Sequence, residues 1–61
     1  MILIIDDDSA VRSSLSFMLK RAGYEVQTVP GPREAMEVVR SVAPDLILME
    51  MNFTLSTTGE E

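Results

Sequence analysis

Three consecutive carboxylates, Asp6, Asp7 and Asp8, follow directly on the aliphatic run Ile2-Leu3-Ile4-Ile5. A fourth, Glu50, closes a second apolar run, Leu46-Ile47-Leu48-Met49. If the two runs are parallel neighbours in one sheet, Asp6, Asp7 and Glu50 meet at its carboxyl edge, where open α/β sheets bind ligands. Carboxylates gathered in this way repel one another unless a cation sits among them. Hard oxygen donors select Mg²⁺ or Ca²⁺, and a few protein ligands completed by water suit Mg²⁺ best. The plainer reading of the triplet is a solvated acidic turn at a helix N-terminus, stabilised by the helix dipole. Glu50 is harder to dismiss, because it interrupts an otherwise apolar strand and a buried acid needs a partner. Together these positions favour a cation site.

Other chemistry fares worse. Ser13, Ser14 and Ser16 have no His or Lys base arranged beside them and read as helix-surface residues. Met18, Met36, Met49 and Met51 read as core fillers rather than metal ligands. Gly31 and Gly59 form no phosphate-cradling loop. No catalytic triad can be built, so a non-enzyme is expected. An acid-pocket phosphatase would need a DxD-like strand end that is present only loosely.

The elements that must position the acids follow from pattern. Ile2–Ile5 (beginning at Met1 or Ile2) reads as a strand buried on both faces, as a central parallel strand requires. Asp8 or Ser9 can cap a helix running to about Ala22, with Val11, Leu15, Met18, Leu19 and Ala22 on its inner face. Lys20 and Arg21 suit its last turn, and Gly23 supplies a left-handed stop. Tyr24 to Val29, polar at alternate positions, fits an edge strand. Pro30-Gly31-Pro32 is a turn that opens a second helix, with Ala35, Met36, Val39 and Val42 inward. Leu46 to Met51 forms the third strand. The order is βαβαβ, and right-handed crossovers place the strands in the order 2-1-3. Residues 52–61 carry dense Thr and Ser, show little periodicity and read as a loop-like tail.

Composition sets the bounds. Sixty-one residues hold one small domain, and a chain of this size buries only about 60% of its unfolded surface. The absence of Cys and His excludes disulfides and the usual zinc sites. Ten acids against five bases, a net charge of −5, argue against direct nucleic-acid binding. No apolar run approaches the roughly 18 residues of a membrane span. A soluble, cytoplasmic chain is expected.

At the acids, the sequence resembles the receiver domain of two-component response regulators. The matching pieces are Ile4-Ile5-Asp6-Asp7-Asp8-Ser9, Gly23-Tyr24-Glu25-Val26 and Pro44-Asp45-Leu46-Ile47-Leu48-Met49, and their spacing agrees over essentially the whole chain. The tail from Asn52 also resembles regulators of the nitrogen-regulatory, sigma-54-activator type. The resemblance implies the flavodoxin-like fold, here its first half: three parallel strands and two helices over residues 1–61. It implies a histidine kinase as partner in the parent family, and phosphoryl transfer to an aspartate at the end of the third strand. Glu50 holds that position, either imitating the phosphorylated state or inactive. Mg²⁺ would be bound directly by Asp7, largely through water by Asp6, by Glu50, and by the backbone carbonyl of Asn52. The hydroxyl residue and lysine that receivers carry on their fourth and fifth strands have no counterpart in this stretch.

An alternative reading makes the chain an interaction module whose acids are vestigial. Under either reading, the apolar third strand lies at a sheet edge, a template for pairing with another chain. A homodimer is therefore expected, burying Leu46, Leu48, Phe53 and Leu55, through strand pairing or exchange of elements.

Overall fold

The computed structural model describes residues 1–50; Met51 and the tail, with Asn52, Phe53 and Leu55, lie outside the described residues. Five elements alternate: β1 (Ile2–Ile5), α1 (Ser9–Arg21), β2 (Val26–Val29), α2 (Pro32–Ser41) and β3 (Leu46–Met49). The strands form one parallel sheet in the order β2-β1-β3, the expected half of a flavodoxin-like unit. Ile2 pairs with Val26 on one side and Leu46 on the other, and the register continues to Ile5 beside Val29 and Met49.

β1 is the centre because it is the strand with a neighbour on each edge and a helix over each face. Leu3 and Ile4, which point to opposite faces, are both 0% exposed. Leu3 and Ile5 join Val29 of β2 and Ala35 of α2 in the core cluster, with Met1 and Val38 packed against it. Ile2 and Ile4 face the other way, toward α1.

The two helices cover less than their apolar stripes foretell. On α1, Val11, Leu15 and Leu19 are half-buried, whereas Met18 is 61% exposed and Ala22 is exposed too. Met18 lies one row off the stripe, on the flank that it shares with Ser14 at helical spacing. On α2 only Ala35 is buried, Val38 is half-buried, and the expected inner residues Met36, Val39 and Val42 are exposed. The cause is the placement of the helices: both pack on β1 and β2, and neither lies over β3. Leu46 and Met49 are accordingly 50% and 55% exposed.

The chain's turns are as specific as its strands. Gly23, at φ 99°, closes α1 in a Schellman turn: its N–H donates to the Lys20 carbonyl at 3.0 Å, and Tyr24 N–H donates to the Leu19 carbonyl at 3.1 Å. That use of Tyr24 is why β2 begins at Val26 rather than at Tyr24. At the other end of the sheet, the Met1 ammonium donates to Asp45 Oδ2 at 2.5 Å, and Asp45 N–H donates to the Met1 carbonyl at 2.9 Å. Hydrogen bonding to that cation, and then its charge, hold the Asp45 carboxyl below the usual carboxylate range.

Candidate functional site

All three parallel strands end on the same side, and each delivers something different there. Asp6 extends β1: its N–H donates to the Val29 carbonyl at 3.2 Å, and its side chain is 3% exposed. Asp6 Oδ1 accepts from Asp8 N–H at 2.9 Å, which folds the chain tightly out of the strand. Asp8 serves as the N-cap of α1, its Oδ1 accepting from Ala10 N–H at 2.9 Å and Val11 N–H at 3.4 Å. Asp7 lies between them, exposed. The triplet thus divides into a buried anchor, an open carboxylate and a helix cap.

Glu50 comes from β3. Its N–H donates to the Ile5 carbonyl at 2.9 Å, which carries the β1–β3 ladder one residue past Met49 and sets Glu50 beside the end of β1. Its side chain is exposed, so the premise that an acid here must be buried does not hold. The reason is again that nothing among the described residues covers β3. Asp6, Asp7 and Glu50 nonetheless line one small cavity of about 130 Å³, with Ile5 as its floor and Pro30, Gly31 and Pro32 as its wall. Among the described residues, no three carboxylates are close enough to form a ready-made cation cage. Asn52 lies outside them.

Arg12 is the site residue that pattern reading missed. Its Nη1 donates to the Asp6 carbonyl at 2.7 Å, tying the first turns of α1 to the tip of β1. A signal for it exists in the sequence. A cation near a helix N-terminus opposes the helix dipole and therefore calls for a nearby acceptor. The Pro30–Pro32 wall is also new: the turn reads from sequence as a helix start, while its closeness to the acids depends on β2 lying next to β1.

The match to known proteins agrees with this geometry. The model of the response regulator receiver domain matches residues 2–59. The chain belongs to that family. As a receiver segment it is 44% identical over 50 residues to a protein-glutamate methylesterase/protein-glutamine glutaminase 1 of Anaeromyxobacter dehalogenans. It is 40% identical over 50 residues to the response regulator MprA of Mycolicibacterium vanbaalenii, and 34% identical over 50 residues to the alkaline phosphatase synthesis transcriptional regulatory protein PhoP of Bacillus subtilis. Each comparison covers 82% of this chain but only 14%, 22% and 21% of the respective relative. No solved structure matches the chain. Among the described residues no helix is long and apolar enough to cross a membrane.

In kind, the donors fit a hard divalent cation: three carboxylates on one cavity at a strand edge, with no nitrogen or sulfur ligand. In placement, they leave it loosely held. Asp6 already spends one oxygen on Asp8 N–H.

Proposed function

We propose that this receiver segment is a non-catalytic signalling module of the cytoplasm with a weak Mg²⁺ pocket, in which Glu50 stands at the phosphoacceptor position as a fixed negative charge. The single observation that carries the reading is the convergence of Asp6, Asp7 and Glu50 on one cavity at the carboxyl ends of the strands. Asp6, Asp7 and Glu50, with the backbone carbonyl of Asn52, would hold the cation. When bound, Mg²⁺ supplies charge neutralisation at transferring phosphoryl oxygens. The chain's own residues do the rest. Asp8 and Arg12 fix where Asp6 sits, and Glu50 presents one carboxylate where phosphorylation would present more charge and more acceptor oxygens. Glu50 is therefore a partial imitation of the phosphorylated state, and a histidine kinase is the partner class that the family implies.

The test is a titration of the ¹⁵N-labelled chain with Mg²⁺, and with Mn²⁺ as a paramagnetic probe. Affinity no tighter than roughly millimolar is expected, with amide changes confined to the ends of β1 and β3. Unchanged spectra, or a response that persists in full in Asp7→Ala, would remove the pocket from the reading.

A second reading is favoured by a different observation. Among the described residues, β3 is an open edge with Leu46, Ile47 and Met49 exposed and no helix over it. In this reading the chain acts through self-association, a homodimer formed at β3, and the acids are vestigial. The two readings separate cleanly, because dimer formation does not require a cation.

A further inference from the structure

The groove between α1 and the outer edge of β2 adjoins the acid end of the sheet at Arg12, whose Nη1 donates to the Asp6 carbonyl, but its own lining holds no acid. It measures about 330 Å³ and is lined by Arg12, Ser13, Ser16, Phe17, Lys20 and Thr28. We propose that this groove docks an extended, acidic segment of a partner protein, laid along the free edge of β2.

Charge is the first argument. α1 carries Arg12, Lys20 and Arg21 and no acid, while the remainder of the chain holds two bases and all ten acids, a net −8. Among the described residues none of these three cations is paired with a carboxylate. Arg12 gives one Nη to the Asp6 carbonyl and keeps further N–H donors for the groove. The −8 surroundings disfavour a long polyanion such as nucleic acid, whose phosphates would extend past the cationic strip. A short acidic peptide fits within it.

Backbone is the second argument. Among the described residues, β2 is an edge of the sheet. The carbonyls of Glu25 and Val29 accept from Ile2 and Asp6 of the central strand. Alternation in a parallel ladder therefore turns the N–H and C=O groups of Val26 and Thr28 outward, unpaired by the sheet. An added strand would take them up. Spacing also agrees. Arg12 and Lys20 are separated by about 12 Å along the helix axis. Residues i and i+4 of an extended segment share a face and lie about 13 Å apart. Phe17, 62% exposed with the Arg21 guanidinium 5.7 Å from its ring centroid, offers an apolar contact beside the charges.

The experiment uses the whole chain and a fluorescein-labelled peptide of alternating Glu and Val, read by fluorescence polarisation. Saturable binding is expected, weakening about tenfold as NaCl rises from about 50 to about 300 mM. Lys20→Glu/Arg21→Glu should weaken it at least about tenfold, and the milder Lys20→Gln and Phe17→Ser should each lower it measurably while circular dichroism confirms the fold. An alternating Glu-Pro peptide keeps the charge but adopts three residues per turn, so it should bind several-fold more weakly. Arg33→Glu/Arg40→Glu on α2 should leave binding within about twofold. The proposal is overturned if no saturable binding occurs or if the α1 variants bind like the parent. It is equally overturned if the α2 variant loses binding to the same degree, or if the Glu-Pro peptide or a single-stranded oligonucleotide of matched charge binds as tightly as the Glu-Val peptide.

Discussion

Ile47→Ala gives the sharpest test of what happens at the open side of the sheet. Ile47 pairs in register with Leu3, so the two side chains share a face, yet Leu3 is 0% exposed and Ile47 is 43% exposed. Full burial of such a side chain is worth about 1.5–3 kcal/mol, so covering the open 43% of Ile47 adds about 0.6–1.3 kcal/mol per copy. In an isolated chain, Ile47→Ala should therefore cost clearly less than Leu3→Ala, for which the usual range is about 2–5 kcal/mol. If β3 pairs with a second copy, the gap between the two narrows as protein concentration rises. The assay is urea unfolding followed by far-UV circular dichroism across a hundredfold range of concentration. Mass action over that range is worth about 2.7 kcal/mol per dimer. With an m-value of about 2 kcal/mol/M for the pair of chains, the parent midpoint should move by about 1.4 M. A midpoint that stays fixed over the whole range, with Ile47→Ala equally penalised throughout, would refute dimerisation through β3. Equal costs for Leu3→Ala and Ile47→Ala at the lowest concentration would go further and refute the placement of β3 at an uncovered edge.

Three other expectations follow from single contacts. Acetyl phosphate should leave the chain unmodified in intact-mass measurements, since Glu50 sets its carboxylate one methylene farther out than Asp, and a misplacement of about 1 Å costs on the order of 10²-fold; a phosphoryl adduct that disappears in Glu50→Gln would contradict this. Asp8→Ala removes the acceptor for Ala10 and Val11 N–H and should cost about 0.5–2 kcal/mol in the same unfolding assay. The Asp45 carboxyl is held below its unfolded value by the Met1 ammonium, so its contribution is fully present above the unfolded pKa and is lost as pH falls through the lowered one. Acid-unfolding curves of the parent and Asp45→Asn should differ slightly near neutrality, the carboxylate being exposed to solvent, and converge in strong acid.

The order of elements is legible in the chain because each signal is local. The β-branched run, the Asp8 cap, Gly23 and Pro32 each act within a turn of where they stand. The sheet order also follows, since the handedness of crossovers leaves little choice once the elements are known. Burial is legible only in part. Met18, Met36 and Val39 carry the right spacing for inner faces, but spacing says which residues lie on one side, not whether anything arrives to cover them. Glu50 shows the same limit: its run of neighbours reads as a buried strand, and only the helix positions over β1 and β2 reveal that neither described helix covers β3. The acids of the site are visible from their types, whereas Arg12 and the Pro30–Pro32 wall enter through long-range pairing that no local pattern encodes.

The parallel sheet has a kinetic consequence. No two strands that are adjacent in the sheet are joined by a hairpin, so β1 must wait for Val26 and its neighbours to arrive across α1, and for Leu46 to arrive across everything between. The second closure is a little less than twice as long as the first, and loop entropy makes it only about 0.5 kcal/mol harder. What delays it more is the reward: β2 arrives with both helices ready to pack on it, while β3 brings ladder bonds and half-exposed side chains. β1 and β2, with the helices that pack on them, are therefore expected to form first and β3 to dock last, an order that φ-values from chevron kinetics would check. Substitutions in Leu46–Met49 will act mainly on the rate of unfolding, and those at Leu3, Ile5 or Val29 on the rate of folding.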